Sequence, residues 1–205
     1  MQLSYTFRSH HGKYLVAEQN GTVNANRDAV GPWEQWTAVV NANGTVSLRS
    51  HHGKYLCAEQ NGHLIANRDA IGAWEQFHVT FINGEHLSFK SHHGHYLVAE
   101  GDNRTVNANR NAVGPWEKWT VVNNGNYSAL KSAHGKYLCA EQNGTLVANR
   151  DAVGVWEQFS VTLGKAGVGL FNPAHGRFVC AEQNGNAVAN RQQQDIWESF
   201  NVQNA

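Results

Sequence analysis

The sequence is poor in cysteine, proline and methionine, and it has no excess charge. Of its 205 residues only three are Cys, three are Pro and one is Met. Sixteen Lys and Arg side chains balance sixteen Asp and Glu. The sequence therefore lacks the excess of basic residues with which proteins attract nucleic acid or an anionic membrane. No apolar run approaches the roughly 20 residues that span a bilayer, and MQLSYTFRSHHG does not resemble a signal peptide. We therefore expect no nucleic-acid partner and no membrane insertion.

One motif fills the chain instead. HGKYLVAEQNG begins at His11, and HGKYLCAEQNG recurs at residues 52–62 and 134–144. The His-Gly pair returns every 41 residues, and five such steps account for all 205 residues. Such a period indicates tandem structural repeats. The predicted copies, which we assign to a single repeat domain over residues 1–205, span residues 4–44, 45–85, 86–126, 127–167 and 168–205.

Within each copy, glycines separate runs of strand length. Asn-Gly pairs such as Asn20-Gly21 supply the positive φ angles of tight hairpin turns. In WEQFHVTF, Phe77, Val79 and Phe81 alternate with polar residues, which is typical of a half-buried strand. The pattern predicts four short antiparallel strands per copy, about twenty in all, and no helix. The fold class is therefore expected to be all-β.

The three cysteines occupy equivalent positions of the repeat. Cys57, Cys139 and Cys180 stand where the other copies have Val16 and Val98. A position that accepts valine or cysteine is a small buried apolar site, and equivalent sites in separate copies lie too far apart for disulfides. We expect free, reduced thiols and hence a cytoplasmic protein.

The stretch GKYLCAEQNGTLVANRDAVGVWEQF resembles the repeat of fascin-like β-trefoil domains. That family shares a Gly-x-Tyr-Leu strand, an Ala-Glu, a glycine turn and a closing aromatic about every forty residues. The resemblance implies paired hairpins, and it places the closing aromatics of the five copies in the core: Trp36, Phe77, Trp119, Phe159 and Phe200. It also implies kinship with actin-bundling proteins, with trefoil lectins and with the His-rich actin binder hisactophilin. A fold alone does not assign a function.

The number of copies departs from the family pattern, because a trefoil closes with three. Either three copies form a trefoil and two are left to pair with another chain, or all five close into one ring. The ring could be an enlarged trefoil or a five-bladed, propeller-like array, since blades also have four strands. We favour one closed unit, and therefore a monomer of 22.7 kDa.

Each copy repeats a set of polar residues followed by a tryptophan. Planar amides and carboxylates could grip sugar hydroxyls, and an exposed indole could receive a sugar ring. Alternatively, the arginine and glutamates that recur with them, such as Arg27, Glu18 and Glu34, tie repeat to repeat, and the tryptophans pack between repeats. The polar set has drifted in copies three and five. The candidate ligand-binding residues are Glu18, Asn26, Asp28, Trp33, Glu59, Asn67, Asp69, Trp74, Glu141, Asn149, Asp151 and Trp156.

The sequence offers no catalytic or metal-binding constellation. No nucleophile with a partnered base recurs, and the His residues do not form convergent ligand sets, so we expect no enzyme activity, cofactor or metal. The sequence predicts a multivalent, lectin-like protein that binds glycans. The alternatives are an actin-binding or cross-linking protein, whose twelve histidines would respond to pH, or a purely structural or designed symmetric repeat protein.

Overall fold

The computed structural model describes residues 4–205, which form 19 β-strands and five 3₁₀ turns. The chain divides into two compact units. Residues 4–41 and 45–77 form the two-copy unit, and residues 42–44 and 78–205 form the three-copy unit. Of the arrangements that the sequence left open, these contacts follow the three copies plus two. The all-β class and the fascin-like repeat are confirmed, and the single-domain assignment of residues 1–205 stays a prediction.

The two-copy unit contains seven strands. In order they are β1 (Ser4–Tyr5), β2 (Tyr14–Ala17), β3 (Val23–Arg27), β4 (Trp36–Val40), β5 (Val46–Arg49), β6 (Tyr55–Ala58) and β7 (Leu64–Arg68). Five of them pair in the order β1-β4-β5-β6-β7, and β2 and β3 form a separate hairpin. The strands are antiparallel throughout.

The three-copy unit contains twelve strands. They are β8 (His86–Ser91), β9 (Tyr96–Ala99), β10 (Val106–Arg110), β11 (Trp119–Asn124), β12 (Tyr127–Ser132), β13 (Tyr137–Ala140), β14 (Leu146–Arg150), β15 (Ser160–Gly164), β16 (Gly167–Asn172), β17 (Arg177–Ala181), β18 (Ala187–Arg191) and β19 (Phe200–Asn204). Strand β11 of copy three pairs with β12 of copy four, β15 of copy four with β16 of copy five, and β19 of copy five with β8 of copy three. Each of these three copies therefore pairs with both of the others.

The closing aromatics form the centre of the core, as expected. Trp119, Phe159 and Phe200 are fully buried in one cluster of the three-copy unit, and Trp36 is fully buried in the two-copy unit. Phe77 is the exception, because it is only partly buried. The copy that contains Phe77 has no following copy within its own unit to complete a core around it.

The hairpin turns confirm the role of Asn-Gly. Gly21 adopts φ +87°, and the side chain of Asn20 accepts a hydrogen bond from the backbone N–H of Thr22. The left-handed Gly21 ends this short turn, which joins the second and third strands of the copy. Each of these hairpins also contains a bulge beside its first tyrosine or phenylalanine, as between Tyr14 and Leu15.

Two details differ from the sequence prediction. The segment WEQFHVTF is not a regular strand, because Phe77 and Val79 form only isolated bridges, to Val46 and Val161. The segment divides between the two units, so no single partner strand pairs along its length. The residues around each repeated tryptophan form 3₁₀ turns rather than strand: Pro32–Glu34, Ala73–Glu75, Pro115–Glu117, Val155–Glu157 and Ile196–Glu198.

Candidate functional site

The repeated tryptophan lies in a capped turn that follows the third strand of each copy. In copy one, Gly31 is extended, Pro32 begins the 3₁₀ turn, and the Glu34 carboxylate folds back onto it. Glu34 Oε2 accepts the backbone N–H of Gly31 at 2.7 Å. This glutamate is only 4% exposed, so the turn is fixed by a buried carboxylate. The indole of Trp33 therefore belongs to a 3₁₀ turn, whereas the strand predicted for WEQFHVTF began at the equivalent Trp74.

An arginine joins this turn to the preceding hairpin. Arg27 donates through Nη2 to Glu18 Oε1 at 2.7 Å, and its Nε lies 3.7 Å from Glu34 Oε1. The same two contacts occur in every copy, at 2.6 to 2.9 Å and 3.7 to 3.8 Å. The predicted Arg–Glu network therefore exists, but it lies within each copy and does not tie one copy to the next.

The structure separates the predicted polar set into two groups. Glu18 and Asn26 both accept from the Arg27 guanidinium, whereas Asp28 pairs with Lys13 at 2.5 Å on the exposed side. Copies two and four repeat this division: Glu59 and Asn67 bind Arg68, Asp69 binds Lys54, Glu141 and Asn149 bind Arg150, and Asp151 binds Lys136. The glutamate and asparagine thus hold the arginine, and the aspartate is the one acid of the set that faces solvent.

Copies three and five replace both members of the exposed pair. His95 and Asn111 stand in copy three, and Arg177 and Gln192 in copy five. Both copies nevertheless keep the arginine network. Within the polar set, the drift therefore removes the aspartate and its lysine partner, while a buried glutamate still caps the tryptophan turn in both copies.

The tryptophan of one copy contacts the histidine of the next. The Trp33 and His52 rings lie 5.0 Å apart, edge to face. The three-copy unit has three such pairs, Trp116 with His134, Trp156 with His175 and Trp197 with His93, each at 5.2 Å. Sequence reasoning missed this pairing, although the shared 41-residue spacing of His-Gly and Trp could have indicated it.

Much of the indole surface remains open to solvent in three of the copies. Trp33, Trp74 and Trp116 are 36%, 51% and 42% exposed. Trp33 and Trp116 therefore pack against a histidine of the following copy and also keep a partly open ring, whereas Trp74 is the most open of the three.

Shallow cavities lie beside this turn in the two drifted copies. A cavity of about 390 Å³ is bordered by Arg110, Asn111, Val113 and Trp116, and one of about 600 Å³ by Arg191, Gln192, Asp195 and Trp197. Both lie between the network arginine and the indole, where a small polar ligand would touch a guanidinium and an aromatic ring. We call this surface, from the arginine to the tryptophan of each copy, the tryptophan loop.

The cysteines lie beneath this network as free, fully buried thiols, as predicted. Burial raises the pKa of the Cys57 thiol to about 11, and the carboxylates of Glu75 and Glu59 raise it further against the opposing effect of Arg68. Burial likewise raises the pKa of Cys139 and Cys180. Thiols in this state are poor nucleophiles at neutral pH.

No group of three or more His, Cys, Asp or Glu side chains within residues 4–205 is placed to hold a metal ion. No helix among the described residues is long and apolar enough to cross a membrane.

The comparisons with known proteins agree with the repeat architecture. The Fascin domain model matches residues 2–79 and 34–121, which together cover more than half of the chain. The chain belongs to the fascin domain family. In this fascin-domain protein, the FRG1-like domain model matches residues 125–204, in the region of copies four and five.

A solved structure has a similar fold. That structure is of a mosquitocidal holotoxin. It matches 98% of the fascin-domain chain at 11% identity with a TM-score of 0.53. The fascin-domain chain covers 28% of that structure's length, so the likeness concerns the fold alone. No curated protein matches the chain.

Proposed function

We propose that the protein is a non-enzymatic, multivalent carbohydrate-binding protein that uses its tryptophan loops. The observation that supports this most is the partly exposed indole of Trp33, Trp74 and Trp116, beside a fixed arginine on each loop. Flat apolar rings receive the apolar face of a sugar, and the indole N–H can donate to a hydroxyl. The cavities in copies three and five are shallow and open, which suits a surface-bound sugar better than an enclosed cofactor.

Repetition of the loop supports multivalency. Five copies on one chain present the same turn, held each time by a buried glutamate. Weak sites that are linked in this way bind a polyvalent target far more tightly than any one site alone. Sugar hydroxyls would meet the arginine, the aspartate or its amide replacement, and the indole, whereas the paired glutamate keeps the arginine in position.

We expect Trp116→Ala to weaken binding to a polyvalent glycan at least about threefold, because one of several linked sites loses its aromatic ring. A glycan array identifies the target, and surface plasmon resonance on that glycan gives the change in avidity. The control is Ile82→Ala, an exposed apolar residue that lies outside the tryptophan loops, and it should bind as the wild type does.

An array without any bound glycan would overturn this proposal, as would equal avidity of Trp116→Ala and the wild type. Asp69→Ala tests the polar contribution separately, because Asp69 is exposed and lies outside the arginine network. Glu59→Ala is less informative, since it removes the partner of Arg68 and with it the support of the loop.

Actin binding is the second candidate, favoured by membership of the fascin domain family. The chain has no net charge when its twelve histidines are neutral, whereas proteins that bind acidic filaments usually present basic surface. Added protons on these histidine side chains would make the chain positive. Cosedimentation with actin filaments at pH 6 but not at pH 8, combined with a silent glycan array, would replace the carbohydrate proposal with this one.

A further inference from the structure

The two-copy unit contains one junction between copies where the three-copy unit contains three. In the two-copy unit, Thr22 forms a bridge with Ile65, and Ala66 donates its backbone N–H to Gly21 O at 2.7 Å. In the three-copy unit the corresponding donations run from Ala148 to Arg104, from Ala189 to Gly144 and from Ala108 to Gly185. These three junctions connect copies three, four and five in a cycle. The two-copy unit therefore lacks the sector that a third copy would fill.

Apolar side chains line this open sector. Leu64 is 41% exposed, whereas its counterpart Leu146 in the three-copy unit is 2% exposed. Ala25 is exposed, although the equivalent alanines Ala66, Ala108, Ala148 and Ala189 are all buried. A Cβ added at Gly62 would meet no atom within 4 Å, while one at the equivalent Gly21 would contact Asn67 and Ala66. The residues equivalent to those buried at the other junctions are therefore exposed to solvent in the open sector.

The two flanks of the sector carry complementary halves of a contact. Trp74 is the tryptophan at one flank, and within residues 4–205 no histidine ring packs against it. His11 is the histidine at the other flank, and in the same part of the chain it contacts the ring of His10 but no indole. His11 is also exposed, whereas His52, His93, His134 and His175, which do contact a tryptophan, are partly buried.

We propose that the open sector of the two-copy unit is an interface between two copies of this chain. A two-fold axis places Trp74 of each chain against His11 of the other. The symmetric interface therefore contains the Trp–His contact twice, once at each flank. Leu64 and Ala25 of the two chains are then buried against each other, which removes exposed apolar area from water. A second copy fits because it presents both the indole and the imidazole that the flanks lack. This dimer replaces the monomer that closure of all five copies would have produced.

Light scattering of the full chain across a concentration series tests the proposal. We expect a species of twice 22.7 kDa that dissociates on dilution. Leu64→Glu places a charge in the apolar sector and should raise the dimer dissociation constant at least about tenfold. Because Leu64 is already exposed within its own chain, this variant should fold normally by circular dichroism. The control is Val155→Glu, at an exposed apolar position of the three-copy unit, which should dimerise as the wild type does.

A double-mutant cycle identifies the flank contact. Trp74→Ala and His11→Ala should each weaken the dimer, and the double variant should lose less than the product of the two single fold-changes, because both remove the same contact. A chain that stays monomeric at its highest soluble concentration would overturn the proposal. So would a dimer whose dissociation constant is unchanged by Leu64→Glu.

Discussion

Trp119→Ala is expected to lower the free energy of unfolding of the three-copy unit by about 3–5 kcal/mol, the usual cost of deleting a large buried aromatic ring. Trp119 is fully buried in the core cluster of that unit. It lies where β11 pairs with both β8 and β12, and its indole N–H donates to Leu97 O at 3.3 Å. The substitution leaves a cavity and also leaves that carbonyl without its donor. Chemical denaturation followed by circular dichroism measures the change.

Trp116, three residues earlier, provides the matched control. It is the same residue type in the same copy, but it is 42% exposed and contacts mainly the ring of His134. Trp116→Ala should cost less than Trp119→Ala, about 1–2 kcal/mol, since the side chain is already 42% exposed and its removal leaves a site open to solvent instead of a closed cavity. Equal losses of stability in the two variants would contradict the division between the core tryptophans and the loop tryptophans.

Glu157→Ala is expected to destabilise the three-copy unit by about 2–3 kcal/mol. The Glu157 side chain is buried, and its Oε2 accepts the backbone N–H of Gly154 at 2.8 Å. Its Oε1 lies 3.7 Å from the Nε of Arg150. Removal of the carboxylate therefore releases the tryptophan turn and leaves Arg150 with one carboxylate partner, Glu141, beside the amide of Asn149. Hydrogen exchange should show faster exchange at residues 154–157.

Asp151→Ala is the control carboxylate in the same copy. Asp151 pairs with Lys136, but its side chain is 83% exposed, and exposed ion pairs contribute at most about 1 kcal/mol. We expect stability close to that of the wild type. A larger loss in Asp151→Ala than in Glu157→Ala would mean that the exposed pair, and not the buried glutamate, holds the loop.

The sequence was sufficient to predict the repeat and most of its core. The 41-residue period and the Asn-Gly turns predicted the strands, and the exchange of valine for cysteine at position 57 predicted a buried apolar site, which the structure confirms. The closing aromatics Trp36, Trp119, Phe159 and Phe200 were also placed in the core, because they match the closing aromatic of the fascin-like repeat. Local sequence decides each of these features within one copy.

The grouping of the copies could not be predicted in the same way. Copies two and four are almost identical in sequence, yet Leu64 is exposed and Leu146 is buried. The difference arises from how many neighbours each copy has, and a repeat does not encode the number of its neighbours. Phe77 was expected in the core because it is the closing aromatic of copy two. It is only partly buried, because its own unit contains no following copy to cover it.

The candidate site was predicted in part. The sequence pointed to the repeated polar residues and tryptophans, but it could not show that Glu18 and Asn26 bind Arg27 while Asp28 binds Lys13. The position of the Arg27 guanidinium depends on Glu34, the buried glutamate that the 3₁₀ turn places beside it. The turn itself was missed because Pro32 and Trp33 sit in a run that resembles the beginning of a strand.

Calorimetry of residues 78–205 expressed alone tests the central claim, that copies three to five complete a trefoil by themselves. The account predicts one cooperative thermal transition with an enthalpy of about 0.7 kcal/mol per residue. It also predicts slow hydrogen exchange at Ala108, Ala148 and Ala189, the three alanines that donate across the junctions. A fragment that unfolds without a cooperative transition, or that exchanges at those alanines as fast as an unfolded chain, would contradict it.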